Sequence, residues 1–281
     1  MTDAARRRPP GDRSHLERLV QALSVEQGIA TERLRRWVST MILLGALERL
    51  GDDGHHFLLK GGVAIELRLR LQARATKDID IIVIPDGDAD IVDALEDALA
   101  QPYLDFGFRL VDLGAIGTTP ARRMDVKLTY KHRPWATLRL EASPPEPSAT
   151  EAEPVAAFGL TALGLDGPDE IVCQSLRYQI ATKLHAVSER FQDRDNDRYR
   201  DLIDLLLLAE LQPDLARVAE ACGQIFAARA THPWPPRLTV EPSWPEPYTT
   251  LALEQDFTIT DVHDAATRVQ ALIDALAAAS H

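Results

Sequence analysis

Along the first half of the chain, the spacing of apolar and polar residues switches between the period of a helix and that of a strand. From His15 to about Leu50, apolar residues recur every three or four positions, which predicts helices. Residues 51–54 interrupt this pattern, and the short apolar run after them predicts a strand that leads into a helix. The segment KDIDIIVIP, residues 77–85, is rich in β-branched residues and therefore predicts a strand.

One more helix and three more strands complete the first half. Residues 88–101 predict a helix because their apolar residues fall on one face. The segments FRLVDLG, RRMDVKLTY and ATLRLEA predict strands, and the turn KHRPW joins the last two. This alternation predicts an α/β (α+β) core with a mixed sheet.

The second half is mainly helical. A loop rich in proline, serine and glutamate predicts a boundary before it. Beyond the loop, residues 170–190, the segment YRDLIDLLLLAEL and residues 261–279 each predict a helix, with a proline-rich extended loop over residues 231–248. The expected segments are a disordered tail (1–14), a core with N-terminal helices (15–142), a linker loop (143–156) and a helical C-terminal region (157–281).

Composition excludes several kinds of protein. The two cysteines, Cys173 and Cys222, are far apart and form no CxxC or Cys/His spacing, which argues against disulfides or a zinc site and fits a reducing cytoplasm. No apolar run approaches the roughly 18 residues that span a membrane. The basic N-terminus has no apolar stretch after it and so does not resemble a signal peptide. We therefore expect a cytoplasmic protein without membrane partners.

Charge is unevenly distributed along this acidic chain. The formal net charge is -12, which argues against binding to nucleic acid through non-specific charge alone. One basic island stands out, with Asp125 as the single acid within it. This island predicts a local anionic ligand, although a solvated strand face explains it equally well. Its members are Arg122, Arg123, Lys127, Lys131, Arg133 and Arg139.

Two aspartates in the strand KDIDIIV carry the most informative chemistry. Because side chains alternate along a strand, Asp78 and Asp80 share one face. Carboxylates so placed repel each other unless a cation lies between them, and their hard oxygens suit Mg²⁺. Taken alone, the pair is better explained by a solvent-facing strand with two harmless acids, because DxD is a common pattern.

A third strand carboxylate changes that balance. Asp125 alternates with apolar residues in RRMDVKLTY, and a third acid from a neighbouring strand is what a site for two magnesium ions needs. We therefore predict that the carboxylates of Asp78, Asp80 and Asp125 converge on one or two ions. Lys127 shares the face of Asp125 and either neutralises a phosphate or pairs with an acid.

Two glycines separate the preceding apolar strand from its helix. Gly61 and Gly62 lie in LLKGGVAIELR, where a strand-to-helix turn would expose backbone N–H groups to a phosphate. No GK[ST] follows, so this is not a Walker A loop.

Together these motifs resemble the DNA polymerase beta-like nucleotidyltransferase superfamily. More narrowly, FLLKGGVAIELRLR with RATKDIDI, and KLHAVSER with RYRDLIDLLLL, resemble the AbiEii/MenT nucleotidyltransferase toxins of abortive-infection and toxin–antitoxin systems. The resemblance spans about residues 15 to 225. It implies a nucleotidyltransferase core whose active-site cleft is completed by the helical C-terminal region.

The resemblance also implies roles for later residues. Lys183 would contact the triphosphate of an NTP, with Arg190 seven residues later on nearly the same helix face. Asp201 or Asp204, or both, would complete the catalytic set of Asp78, Asp80 and Asp125. The nucleotide-binding set would be Gly61, Gly62, Lys127, Lys183 and Arg190. A network of salt bridges between two helices is the alternative for Lys183, Arg190 and these acids.

The function expected from the resemblance is a magnesium-dependent toxin that transfers a nucleotide from an NTP to the 3′ end of tRNA, countered by a cognate antitoxin. Two alternatives stay open. One is a nucleotidyltransferase that modifies a protein or a small molecule, and the other is a non-catalytic binding protein on the same fold.

Overall fold

The computed structural model describes residues 8–49, 56–70, 76, 78–85, 90–117, 119–146 and 149–279. The predicted helix break at 51–54 lies outside these ranges. The helices are α1 (Arg13–Gln27), α2 (Thr31–Glu48), α3 (Gly61–Arg68), α4 (Ile91–Leu99), α5 (Leu176–Ser188), α6 (Arg200–Ala209), α7 (Leu215–Arg229), α8 (Pro245–Glu254) and α9 (Val262–Ala279). The strands are β1 (His56–Lys60), β2 (Asp78–Ile84), β3 (Phe106–Ala115), β4 (Arg122–Tyr130), β5 (Arg133–Ser143), β6 (Ala152–Ala156) and β7 (Glu170–Gln174).

The described strands form one mixed sheet in the order β3-β4-β5-β2-β1-β7-β6. Strand β2 is parallel to β5 and antiparallel to β1, which is itself parallel to β7, while β3, β4 and β5 form an antiparallel meander. The predicted mixed α/β class is therefore confirmed. The described residues divide into a sheet unit, within 8–71, 75–145 and 154–173, and a helical unit, within 146–153 and 174–279.

One face of the central strands forms the core of the sheet unit. Ile79 and Ile81 on β2, and Met124 and Val126 on β4, are fully buried and join a cluster with residues of α1, α2 and α4. Because strand side chains alternate, the residues between them occupy the opposite face. That face carries Asp78 and Asp80 of β2, Asp125 and Lys127 of β4, and Arg139 and Glu141 of β5.

The turn between β4 and β5 is shorter than KHRPW, since β5 already begins at Arg133. Lys131 and His132 both have positive φ, the conformation of a two-residue hairpin whose twist matches the strands. Lys131 Nζ donates to the carbonyl of Pro10 at 2.9 Å. The predicted tail of residues 1–14 needs correction, because Asp12 caps α1 and the helix begins at Arg13.

Two further boundaries also differ from the sequence analysis. Residues 170–174 form β7 instead of the first turns of a helix, because Cys173 pairs with Leu59 of β1. Val172 within this segment is an exposed strand residue. The expected linker of residues 143–156 contains the end of β5 and all of β6. Sheet pairing, a long-range contact, overrode the local spacing in these segments.

Helices α5 to α9 make up most of the helical unit. The proline-rich segment from residue 231 ends earlier than predicted, since Pro245 occupies the first turn of α8. Trp244 is buried before it and donates from Nε1 to the carbonyl of Asn196, so it anchors this segment. None of the helices in the described ranges combines the length and apolarity that a membrane span requires.

Candidate active site

Asp78 and Asp80 lie on the polar face of β2 and alternate with the buried residues Ile79 and Ile81. Both aspartates are half-buried. The shared face follows from strand geometry alone, because positions two apart point the same way. The two carboxylates therefore present hard oxygen ligands side by side.

Gly61 gives the carboxylate of Asp80 its space. Gly61 has φ +64°, and a Cβ there would overlap Oδ2 of Asp80 and stand 2.8 Å from its Cγ. The carboxylate therefore lies directly against the first residue of α3, where the helix dipole favours negative charge. Gly62 has a different role, because a Cβ there would come within 2.9 Å of the Thr76 side chain. The first glycine thus shapes the site and the second permits close packing.

Strand β5 supplies an acid that the sequence analysis did not identify. Glu141 lies directly opposite Asp80 on the neighbouring strand, and opposite residues share a face. Arg123 of β4 pairs with Glu141, with Nε 2.8 Å from Oε1. The motif RLEAS contained this glutamate, but only the pairing of β5 with β2 shows that it neighbours the aspartates.

Asp125 shares the polar face but lies one strand further away than predicted. Arg139 of β5 stands opposite both Asp78 and Asp125. Two strand spacings therefore separate the two aspartates, which places their Cα atoms about 10 Å apart. Arg139 Nε donates to Oδ1 of Asp125 at 2.7 Å. Among the described residues, no three His, Cys, Asp or Glu side chains are placed to hold one metal ion. The predicted convergence of three aspartates is corrected on this point, because β5 and its arginine lie between them.

Two cations complete the surroundings of the aspartates. Lys60 stands opposite Asp80 on β1, and its Nζ donates to Oγ of Ser143 at 2.7 Å. Arg36 of α2 has its pKa lowered by burial, an effect opposed by the nearby charges of Glu66 and Asp78. Neither cation was singled out from the sequence, because each is close to these acids only through tertiary contacts.

Most of the basic island is neutralised by acids from other segments. Arg122 pairs with Asp112, Arg123 with Glu141, Arg139 with Asp125, and Lys131 lies 3.5 Å from Asp105. The sequence showed one acid within the island, whereas the folded hairpins bring in three more. Lys127 and Arg133 are exposed and form no ion pair with another described residue. The sequence left two roles open for Lys127, neutralising a phosphate or pairing with an acid. Lys127 pairs with no acid among the described residues.

In the helical unit, Lys183 forms a buried cluster with both candidate aspartates. Its Nζ donates to Oδ1 of Asp201 at 2.6 Å and to Oδ2 of Asp204 at 2.7 Å. Lys183 lies on α5 and the aspartates one turn apart on α6, and all three side chains are buried. Burial alone would lower the pKa of Lys183, but the two carboxylates outweigh it and the pKa is raised. Both aspartates bind the lysine, so this geometry does not distinguish between them.

Arg190 does not share a helix face with Lys183. Helix α5 ends at Ser188, and Glu189 already has an extended conformation. Arg190 therefore lies outside the helix, and a spacing of seven residues does not place it on the face of Lys183. Arg190 is exposed in the segment before α6. The expected alignment of Arg190 with Lys183 was therefore wrong.

Comparison with known proteins identifies a family that matches this sequence and solved structures that are similar to this fold. A profile of the family described as "Nucleotidyl transferase AbiEii toxin, Type IV TA system" matches residues 43–277. Among solved structures, the nucleotidyltransferase toxin MenT4 from Mycobacterium tuberculosis H37Rv is 14% identical with a TM-score of 0.53, and the match covers 94% of this chain and 99% of that one. A search of curated protein sequences found no significant match.

Two more distant structures also match. An antigenic nucleotidyltransferase-like protein from Paracoccidioides brasiliensis has 16% identity and a TM-score of 0.41, covering 69% of this chain and 89% of that one. The antibiotic-resistance factor ANT(2'')-Ia has 14% identity and a TM-score of 0.41, covering 69% and 95%. MenT4 agrees in fold, and the family profile spans most of the sequence. The chain therefore belongs to the AbiEii nucleotidyltransferase toxin family and is a nucleotidyl transfer enzyme.

Proposed function

We propose that this enzyme transfers a nucleotide from an NTP to the 3′ hydroxyl of an RNA, with tRNA as the expected acceptor. The observation that supports the reaction best is the placement of Asp78 and Asp80 on one strand face, with Asp80 against Gly61 at the start of α3. Family membership supplies the reaction type. The RNA acceptor rests on the resemblance noted in the sequence.

The donor set fits a magnesium ion. Asp78 and Asp80 offer adjacent carboxylates on one face, Glu141 stands beside Asp80, and Mg²⁺ prefers such oxygens together with substrate phosphates. Asp78 and Asp80 would hold the ion, with Glu141 as the candidate for a third carboxylate. A bound ion supplies charge stabilisation for the triphosphate and its leaving group.

The protein's own residues set up the transfer. The acceptor hydroxyl attacks the α-phosphorus, loses its proton to solvent, and forms a new O–P bond while the bond to the β-phosphate breaks and pyrophosphate leaves. Lys60, held beside Asp80 by Ser143, would place positive charge near the phosphates, where fixed charges stabilise the transition state most. The resemblance assigns Lys183 to the triphosphate as well.

Labelled nucleotides test this proposal directly. Each of the four NTPs, labelled at the α-phosphate, is incubated with the protein, magnesium and total RNA, and a γ-labelled set runs in parallel. We expect α-label in RNA, no γ-label in any acceptor, and no transfer after chelation. Asp80→Asn should abolish transfer, whereas Asp97→Asn, an exposed aspartate on α4, should leave it unchanged. Normal transfer by folded Asp80→Asn would overturn the proposed site.

A protein or small-molecule acceptor is the second candidate. It is favoured by the ion pairs of Arg122, Arg123 and Arg139, which leave the hairpin less attractive to an RNA backbone than its sequence suggests. The same labelled nucleotides, offered to total cellular protein and to a small-molecule extract, separate these acceptors from RNA. The comparison of Asp125→Asn with Glu141→Gln then shows which acid contributes to transfer.

A further inference from the structure

Two cations on the polar face of the sheet face each other without an intervening acid. Arg109 on β3 lies directly opposite Lys127 on β4, and both side chains are exposed. Within the part of the chain that the structure describes, neither forms an ion pair or a side-chain hydrogen bond. Directly opposed like charges destabilise an antiparallel pair. Since Arg123 and Arg139 on the same face each have an acidic partner, this pair is the exception among the described cations of β3, β4 and β5 on that face.

The pair borders a cavity of about 530 Å³ that also has neutral polar groups. Thr129 and Thr137 line it with hydroxyls, and Gly107 leaves it open where a side chain would otherwise stand. A shift of register between Leu128 and Thr129 bends the hairpin at this point. Arg13 also lines the cavity but pairs with Glu17, and the Thr129 hydroxyl donates to the carbonyl of Gly107. The cavity therefore combines the charges of Arg109 and Lys127 with the hydroxyl of Thr137, and such groups bind a phosphate oxygen.

The position of the pair suits an acceptor strand better than the NTP. Lys127 lies one step beyond Asp125 along β4, on the face shared with Asp78. Two strand spacings and one two-residue step place its Cα about 12 Å from that of Asp78. That distance corresponds to a few nucleotides of a strand whose 3′ end lies at the aspartates.

We propose that Arg109 and Lys127 bind a backbone phosphate of the acceptor RNA a few nucleotides from its 3′ end. This inference rests on the proposed function and adds to it the residues that hold the acceptor. Arginine can donate two parallel hydrogen bonds to a phosphate, and lysine adds a mobile point charge. An anion between them also removes the repulsion across the β3–β4 pair.

Binding is measured by fluorescence anisotropy with 5′-labelled tRNA whose terminal 3′ hydroxyl has been removed, so that no transfer occurs. The wild type is compared with Arg109→Gln/Lys127→Gln and with Arg122→Gln, whose charge is balanced by Asp112. Losing the contacts to this one phosphate should weaken binding roughly 5-fold at about 0.1 M salt and flatten the slope of log affinity against log salt by about 0.7. Arg122→Gln should retain wild-type affinity, and Arg109→Lys/Lys127→Arg should restore most of it.

Unchanged tRNA binding by the double variant overturns the inference. An equal loss of affinity in Arg122→Gln also overturns it, because tRNA would then be attracted by the overall charge of the surface and not bound at this site. Transfer to protein or small molecules alone, without tRNA binding, overturns both the RNA acceptor and this site. A wild type that binds tRNA through the pair but transfers no nucleotide would retain the inference while the proposed function fails. Circular dichroism and unfolding of each variant separate lost binding from lost folding.

Discussion

At the residue scale, a single glycine determines where a candidate catalytic carboxylate lies. Gly61 has φ +64°, and the Asp80 carboxylate occupies the volume that any side chain there would need. Its backbone conformation alone does not distinguish it, because Gly28 at the end of α1 has φ +66° and yet a Cβ there would have no atom within 4 Å. Alanine substitutions at the two glycines therefore distinguish the effect of backbone strain from the effect of displacing the Asp80 carboxylate.

We expect Gly61→Ala to lower the rate of nucleotide transfer about 100-fold, since a shift of about 1 Å in a reacting group costs that much. Gly28→Ala should lower the unfolding free energy by the same backbone strain, about 1 kcal/mol. Its rate of nucleotide transfer should stay unchanged. Transfer rates and urea unfolding of both variants check this. Equal transfer by the two alanine variants would show that the Asp80 carboxylate can move without consequence.

At the element scale, the link between α5 and α6 is a lysine shared by two aspartates. Lys183 contacts both carboxylates, at 2.6 Å from Asp201 and 2.7 Å from Asp204. Such a cluster is explained either by helix–helix stabilisation or by a requirement for charge in catalysis. Removing the lysine alone does not decide between them, since it takes away the cation that both buried carboxylates contact.

We expect Lys183→Met to destabilise the protein by about 3–5 kcal/mol, the cost of unpairing buried charges. The triple variant Lys183→Met/Asp201→Asn/Asp204→Asn should recover most of this stability and yet remain inactive in nucleotide transfer. Lys131→Ala, at the β4–β5 turn, serves as the control and should keep its activity. Recovery of transfer by the stable triple variant would make the cluster purely structural.

At the scale of the whole molecule, two buried groups make stability depend on pH in opposite directions. Burial raises the pKa of Glu66 to about 7, despite the opposing charge of Arg33. Burial lowers the pKa of His185 to about 4, and Arg229 adds to the effect. The folded state therefore retains a proton on Glu66 and excludes one from His185. Raising the pH removes the contribution of Glu66 to the unfolding free energy, and lowering the pH removes that of His185.

The sign for Glu66 follows from its raised pKa. Its contribution is fully present below pH 4.5, the unfolded value, and is lost as pH rises through 7. Relative to Glu66→Gln, which cannot ionise, the wild type should lose about 3 kcal/mol of unfolding free energy between pH 5 and pH 8. Urea unfolding at both pH values measures the difference. A constant difference between the two proteins across that range would contradict the raised pKa.

His185 acts on the acid side of the same curve. Its contribution is fully present above pH 6.5, the unfolded value, and declines as pH falls through 4. The buried imidazole contacts Thr231 and lies against Phe226, and Arg229 Nη1 is 3.3 Å from its Nδ1. A protonated ring would lose that last contact, because a guanidinium cannot accept a hydrogen bond. The helical unit should therefore be the part of the chain that acid weakens.

The sequence by itself determined what depends on neighbours along the chain. Strand alternation fixed Asp78 and Asp80 on one face, and the strand–Gly-Gly–helix order was found in β1 and α3. The mixed α/β class and the family also followed from local patterns and motifs. These features are readable because the period of two in a strand and the spacing in a helix are properties of the backbone alone.

Only the tertiary structure decided which distant residues became neighbours. It placed Glu141 beside Asp80 and Arg139 between Asp78 and Asp125, and it turned residues 170–174 into a strand. It also neutralised most of the basic island, leaving Lys127 opposite Arg109. The physical reason is that strand order and register are set by burial and by hydrogen bonds between segments far apart in sequence, which no local period encodes.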